Sequence, residues 1–211
     1  MRITHYGHAC VLLETGTARL LIDPGTFSTG FEELRDLTGI LITHQHADHI
    51  DEAKLPALIK ANPDATLLVD PDTAPEVEKF GLTAQVATTG SAFELGGAAV
   101  NVVGGAHAKI YGDFPVISNA GYVIDHGAFY HPGDALFVPE QSIDVLGVPV
   151  VAPWLKTAEA IDFVQAVKPR TSFPIHEALL ANPEFGYGII ANFTKDVAGF
   201  ITPPRGEPVE A

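Results

Sequence analysis

The segment that most constrains the fold is an apolar run followed by four potential metal ligands within six residues. Gly39–Thr43 has the sequence GILIT, which is typical of a buried strand. The ligand-type residues that follow it are His44, His46, Asp48 and His49. Side chains two positions apart in extended backbone point the same way, so His44 and His46 are expected to converge on one ion. Asp48 and His49 lie where the chain turns towards a predicted helix and point in different directions. The segment therefore favours two adjacent ions over one.

Length and composition indicate one globular domain. We expect it over residues 1–202, followed by a loose tail at 203–211 that contains several prolines and charged residues. No apolar run reaches the roughly 18–20 residues needed to cross a bilayer. The start, Arg2–Tyr6, is typical of a strand rather than of a signal peptide. The single cysteine, Cys10, cannot form an internal disulfide and is expected to be buried. These features favour a cytoplasmic location.

Short apolar or alternating segments separated by Gly, Pro and Asp predict many strands. They are Cys10–Leu13, Arg19–Ile22, Gly39–Thr43, Thr66–Val69, Ala98–Val103, Tyr122–Ile124, Val148–Ala152 and Thr171–Ile175. Helical periodicity predicts helices at Glu52–Ala61, Ala74–Phe80, Thr157–Val167 and Gly188–Ala198. No glycine-rich dinucleotide loop or phosphate-binding lysine motif follows a strand. Strands come first and mixed elements later, which favours two packed sheets with helices outside over one parallel, doubly wound sheet.

The ligand-rich segment also resembles a known family signature. Thr43–His49, T-H-x-H-x-D-H, is similar to the signature of metallo-β-lactamase-fold hydrolases, and the resemblance extends from Ile3 to His176. Gly7–Cys10 and Leu20–Pro24 resemble the branch that includes ascorbate-6-phosphate lactonase. The fold implied by the resemblance is an α/β (α+β) protein, a four-layer αββα sandwich of two mixed sheets flanked by helices.

The resemblance further implies two metal ions held by residues from separate loops. The first ion would be held by His44, His46 and His107, the second by Asp48, His49 and His176, and Asp134 would bridge them. Three imidazoles with a solvent ligand form the open geometry that Zn²⁺ favours in catalytic sites. The mixed second site also suits Mn²⁺ or Fe²⁺. The expected cofactor is therefore a pair of divalent ions, with zinc as the first choice.

Four further residues are candidates for supporting roles. By resemblance, Asp23 is expected to accept the second N–H of a metal-bound histidine and so fix its tautomer, with a turn-forming Asp-Pro as the alternative. His8 and His131 lie beside family motifs, where contact with substrate, support of a ligand and a purely structural role all remain open. Lys156 is a candidate for binding a carboxylate or phosphate, with a solvated lysine at a helix start as the alternative.

The expected chemistry is attack by metal-activated water. The pKa of zinc-bound water can fall to about 7 from about 15.7 in bulk, so hydroxide is available at neutral pH. Asp48 or Asp134 would orient this water or receive its proton. The resemblance favours a small anionic ester or lactone as substrate. A small phosphodiester and a non-catalytic metal-binding or sensing role stay open, whereas a di-iron electron-transfer module is disfavoured because its signature has glutamate where this chain has His46.

The charge balance limits the partners. Twelve Lys and Arg against 26 Asp and Glu give a net charge of −14. No basic or aromatic stripe offsets this charge, so nucleic acid is not expected as a partner. A small anionic or neutral substrate inside a cleft would feel mainly the metals and any nearby Lys109 or Lys156. No membrane partner is expected, and a homo-oligomer is left open.

Overall fold

A computed structural model describes all 211 residues as two seven-stranded sheets with four helices. The strands are β1 (Arg2–His5), β2 (Val11–Thr15), β3 (Ala18–Ile22), β4 (Gly39–Ile42), β5 (Thr66–Val69), β6 (Gln85–Val86), β7 (Ala92–Leu95), β8 (Ala98–Gly104), β9 (Ala120–Ile124), β10 (Phe129–His131), β11 (Val145–Pro149), β12 (Thr171–Ile175), β13 (Gly199–Phe200) and β14 (Pro208–Glu210). The helices are α1 (Leu55–Ala61), α2 (Ala74–Lys79), α3 (Thr157–Val167) and α4 (Pro183–Thr194). The first sheet has the order β14-β1-β2-β3-β4-β5-β6, and the second has the order β13-β12-β11-β10-β9-β8-β7.

The buried apolar side chains form three layers. A cluster of 20 buried residues, including Leu20, Tyr122 and Phe173, fills the space between the sheets. A second cluster joins the first sheet to α1 and α2 through Leu55 and Val77. A third cluster joins the second sheet to α3 and α4. The expected four-layer αββα sandwich of two mixed sheets is therefore confirmed. None of the helices has both the length and the hydropathy needed to cross a bilayer.

Two helices begin at prolines rather than where the periodicity predicts. The helix expected from Glu52 begins at Leu55, and Pro56 lies in its first turn. The helix expected from Gly188 begins at Pro183. A proline in the first turn loses nothing, because the N–H groups there have no partner within the helix. Proline is therefore a stronger start signal at both helices than the first periodic apolar residue.

The shortest strands have no counterpart among the predicted segments. These are β6, β7, β10, β13 and β14. Strand β11 is predicted at Val148–Ala152 but lies at Val145–Pro149. All three residues of β10 are buried, so the strand shows no alternation of apolar and polar residues. A segment of two to four residues is too short to display either period, and its pairing with distant strands defines it instead.

The expectation of a loose tail at 203–211 is wrong. Pro208–Glu210 forms β14, an edge strand that pairs antiparallel with β1 and places Val209 opposite Ile3. The side chain of Val209 packs against the cluster between the sheets. The prolines that suggest a loop are compatible with an edge strand, because one side of such a strand needs no hydrogen-bond partner.

Strand direction brings the predicted ligands to one edge of the sandwich. Strands β8 and β10 are both antiparallel to β9, and β10, β11 and β12 are parallel. The carboxyl ends of β8, β10 and β12 therefore share one edge, and His107, Asp134 and His176 follow those ends. The ligand segment after β4 reaches the same edge, where Ala120 N donates to Thr43 O at 2.8 Å.

Deleting residues 208–211 should lower the free energy of unfolding by about 1–3 kcal/mol, because the β14 hydrogen bonds and the contact of Val209 are lost. Urea denaturation followed by circular dichroism measures this change. The matched control is Glu207→Ala, an exposed position just before the strand, which should unfold as the parent does. An unchanged midpoint for the deletion would show that β14 does not contribute to stability.

Candidate metal centre

The first group of ligand-type side chains consists of His44, His46, His107 and Asp134, whose ligand atoms all lie within 4.8 Å of one another. His44 Nε2 is 3.0 Å from His46 Nδ1, and His107 Nε2 is 3.4 Å from Asp134 Oδ2. Strand β4 ends at Ile42, before either histidine of the segment. The two histidines therefore converge through a loop, and not through the extended backbone that the sequence suggests.

The second group consists of His8, Asp48, His49 and His176, again with ligand atoms within 4.8 Å of one another. Asp48 Oδ2 is 3.4 Å from His176 Nε2 and 4.0 Å from His49 Nε2. The same oxygen is 2.9 Å from His8 Nε2. The structure thus brings together the three ligands expected for the second site and adds His8 to them.

The carboxylate of Asp134 lies between the two groups. Its Oδ1 is 3.1 Å from His49 Nε2 and 3.2 Å from His176 Nε2. Its Oδ2 faces the first group and accepts a hydrogen bond from Trp154 Nε1 at 2.9 Å. The side chain is almost fully buried. Each carboxylate oxygen is therefore directed at a different group of histidines.

Three of the histidines have their Nδ1 atoms bound to fixed acceptors. The pairs are His49 Nδ1 with Asp23 Oδ2 at 2.7 Å, His107 Nδ1 with Ala108 O at 2.6 Å and His176 Nδ1 with Val151 O at 2.6 Å. A carboxylate or carbonyl oxygen can only accept, so Nδ1 donates in each pair. This arrangement directs Nε2 towards the centre, which is typical of histidines that bind metals.

Four of the atoms that face the centre have no hydrogen-bond partner. Buried and unsatisfied are Nε2 of His49, His107 and His176 and Oδ1 of Asp134. An unsatisfied buried polar group costs about 1–3 kcal/mol. Cations within the two groups would coordinate these atoms and remove that cost. The donor set, with imidazole and carboxylate together, therefore fits divalent metal ions.

The electrostatics of the second group depend on its carboxylates. Burial alone would lower the pKa of His49, but the neighbouring Asp134 and Asp23 raise it well above its ordinary value. Burial likewise opposes protonation of His176, yet the nearby carboxylates of Asp134 and Asp48 raise its pKa to about 9. Burial would raise the pKa of Asp134, whereas His49 and the other histidines hold it well below its usual range. Without metal, both raised histidines are protonated at neutral pH.

Comparisons with known proteins agree with this geometry. The profile of the Beta-lactamase superfamily domain matches residues 2–176. Protein Rv0786c of Mycobacterium tuberculosis is 46% identical over 200 residues, which cover 92% of this chain and 93% of that protein. A UPF0173 metal-dependent hydrolase of Methanoregula boonei is 30% identical, and the alignment covers 83% of this chain and 82% of that protein. The structure of Igni18, a metallo hydrolase from Ignicoccus hospitalis, superposes with a TM-score of 0.77 at 20% identity. The superposition covers 99% of this chain and 97% of that one.

The chain belongs to the metallo-β-lactamase superfamily. Several of its relatives are named metal-dependent hydrolases, and this member of the superfamily is a metal-dependent hydrolase as well. The family and the fold expected from Thr43–His49 are thereby confirmed. The comparisons do not single out the branch that includes ascorbate-6-phosphate lactonase.

In this superfamily member, Asp23 binds both ends of the ligand segment Thr43–His49. Its Oδ1 accepts from Thr43 N at 2.7 Å, and its Oδ2 accepts from Thr43 Oγ1 at 2.8 Å and from His49 at 2.7 Å.

The backbone of Asp23 has a φ of 50°, and His8 and His176 have φ values of 54° and 68°. Each such non-glycine residue costs on the order of 1–3 kcal/mol, which the surrounding contacts must offset.

Two of the candidate substrate residues lie away from the centre. His131 is fully buried, its Nε2 donates to Ala9 O at 2.9 Å, and its Nδ1 accepts from Gly133 N at 3.2 Å. Both of its ring nitrogens are therefore used within the fold. Lys156 is exposed at the start of α3 and does not line the cavity beside the metal centre. Neither residue is placed to contact a substrate at that cavity.

Two residues that hold Asp134 have no signal in the sequence. Asn119 accepts from Asp134 N at 3.0 Å and donates to Pro132 O at 2.8 Å. Trp154 donates to the carboxylate itself. Sequence reasoning places Trp154 in a segment that shapes the pocket, but it assigns neither residue a partner. An isolated Asn or Trp belongs to no ligand motif, so only the tertiary structure shows these roles.

Replacing Asp23 with Asn should weaken the affinity of the second group for metal by roughly 10–100-fold. The amide has one acceptor oxygen, so its NH2 group would face a donor, either Thr43 N or His49 Nδ1. Competition with a chromogenic chelator measures the affinity. Asp162→Asn, at an exposed position on α3, is the control and should bind metal as the parent does. Equal affinities for both variants would contradict the supporting role of Asp23.

Metal binding to the apoprotein should release protons, because a metal ion needs the neutral form of His49 and His176. Calorimetric titration in buffers of different ionisation enthalpy counts these protons. The raised pKa of about 9 means that His176 is charged at pH 7.5 and neutral well above pH 9. Release should therefore fall by at least about one proton per chain between pH 7.5 and pH 10. The proton from metal-bound water is lost at both pH values, so a constant count would contradict the assignment.

Proposed function

We propose that this chain is a binuclear hydrolase that cleaves a small carboxylic ester or lactone with metal-activated water. The observation that supports the proposal most directly is the position of Asp134. Its Oδ1 lies 3.1 Å from His49 in the second group, and its Oδ2 lies 3.4 Å from His107 in the first group. A carboxylate placed in this way is suited to bridging two cations.

The proposed ligands follow the two groups. His44, His46 and His107 would hold the first ion, Asp48, His49 and His176 the second, and Asp134 would bridge them. Three imidazoles favour Zn²⁺ in the first site. The second site, with its carboxylate, accepts Zn²⁺ and also Mn²⁺ or Fe²⁺. When bound, such ions lower the pKa of water and polarise a carbonyl oxygen.

Asp134 and Asp48 have different proposed roles in the reaction. Asp134 is buried and tethered by Trp154, so we assign it the task of holding both ions in place. The side chain of Asp48 is 22% exposed and reaches the cavity, where it can accept the proton of the attacking water and return it to the leaving alkoxide. Burial raises the pKa of Cys10 well above its usual value, which suppresses its thiolate. A cysteine nucleophile is therefore not part of the proposal.

A small phosphodiester is the second candidate substrate, because a pair of ions joined by Asp134 also suits in-line attack at phosphorus. Nucleic acid is not proposed as a substrate. The net charge of −14 repels polyanions, and no Lys or Arg lines the cavity beside the centre.

Replacing His46 with Ala should remove the first-site ion and lower hydrolytic turnover by more than about a hundredfold, since even residues outside the ligand set cost 10–100-fold. Elemental analysis should show about two ions per parent chain and about one in the variant. A panel of esters, lactones, thioesters, phosphodiesters and β-lactams measures turnover.

The matched control is Gln45→Ala, the neighbouring position, which should keep both ions and full turnover. Removal of metal by a chelator should abolish activity, and addition of Zn²⁺ should restore it. Unchanged turnover in His46→Ala would contradict the ligand assignment, and no more than trace metal in the reconstituted parent would contradict the binuclear centre.

A further inference from the structure

The cavity beside the metal centre has a volume of about 290 Å³ and two kinds of wall. Part of the lining consists of side chains of the metal centre. The apolar wall is formed by Phe27, Ile110, Pro153, Trp154 and Leu179. The volume lies just below the roughly 300–1,000 Å³ typical of pockets for drug-sized ligands. A substrate with one ring or a short alkyl chain fits this space.

No lysine or arginine lines this cavity. Apart from the three histidines that would bind metal in their neutral form, the only ionisable side chains in its lining are Asp48 and Asp134, which belong to the metal centre. Lys109 and Lys156 are exposed, and neither lines the cavity. The guanidinium of Arg205 donates to the backbone carbonyls of Tyr6 and Phe27, and Arg205 does not line the cavity. An anionic group bound away from the reacting carbonyl would therefore have no counter-ion.

The apolar wall is partly open to solvent and partly fixed. Phe27 is 44% exposed and Leu179 is 52% exposed, although both border the cavity. Apolar surface grouped in this way beside a catalytic centre is typical of a ligand-binding site. Trp154 is held in place by its hydrogen bond to Asp134. The wall thus offers apolar surface that a bound ligand would cover.

We propose that the substrate is electrically neutral and carries an apolar group that packs against Phe27, Trp154 and Leu179. This inference rests on the proposed hydrolase function and narrows it. Moving a carboxylate or phosphate from water to such a wall without a partner is strongly unfavourable, whereas an alkyl or aryl group gains free energy there. The two lysines expected near a bound anion do not reach the site, which leaves the metals as the only positive charges in it.

The test compares two lactones of equal size on the metal-loaded protein. One carries a hexyl side chain on the lactone ring, and the other has a carboxylate at the end of a chain of the same length. The neutral lactone should have a kcat/KM at least about tenfold higher, because the carboxylate loses hydration without gaining a counter-ion. Equal values, or a preference for the carboxylate, would overturn the proposal.

Variants locate the cause of the preference. Leu179→Lys places a cation in the wall, so the preference for the neutral lactone should shrink or reverse, while Leu179→Met should retain it. The double variant Lys109→Ala with Lys156→Ala should leave both rates within about twofold, because neither lysine lines the cavity. A selective loss of the anionic lactone in that double variant would overturn the proposal.

Ligand binding separates this proposal from the reaction itself. Trp154 is the only tryptophan of the chain, so its fluorescence reports occupancy of the cavity. The probes are the two cyclic ethers that correspond to the lactones and cannot be hydrolysed. Tighter binding of the neutral ether without hydrolysis of any lactone would support the apolar site and contradict the proposed reaction. Equal binding of the two ethers, or binding of neither, would overturn the apolar site.

Discussion

A buried carboxylate has to be surrounded by hydrogen-bond donors or cations, and Asp134 meets this requirement by lying between two groups of histidines. Trp154 binds one of its oxygens, and Asn119 holds its backbone, so the carboxylate cannot turn away from the centre. Three of the histidines, His49, His107 and His176, are held through Nδ1, which leaves their Nε2 atoms facing the same space. A centre of this kind is organised for cations before any cation arrives.

The loops that deliver these side chains need unusual backbone, and the sandwich supplies the support. His8 and His176 adopt positive φ, and His176 N donates to His8 O at 2.9 Å, so the two strained residues fix each other across the sheets. Gly25 shows how closely the loops approach, since a Cβ at this position would come within 1.8 Å of Asp48 O. The ligand loop therefore depends on a glycine that is not itself a ligand.

Global and local charge have different consequences in this protein. The net charge of −14 acts on large partners and disfavours polyanions. A small substrate instead meets the local surface, where no lysine or arginine lines the cavity and five apolar residues do. Reasoning from sequence places Lys109 and Lys156 near the substrate because each is close in sequence to a pocket segment. Their side chains extend into solvent instead, so closeness in sequence does not produce a counter-ion in the cavity.

The sequence by itself determined the family, the four-layer architecture and the order of the main strands, because the Thr43–His49 signature and the strand periodicity are carried by neighbouring residues. Only the tertiary structure decided that His8 joins the second group, that Trp154 binds Asp134, and that residues 208–210 form an edge strand. Each of these contacts joins segments that are far apart in the chain. Such contacts follow from strand pairing and sheet packing, which leave no periodic pattern at the residues concerned.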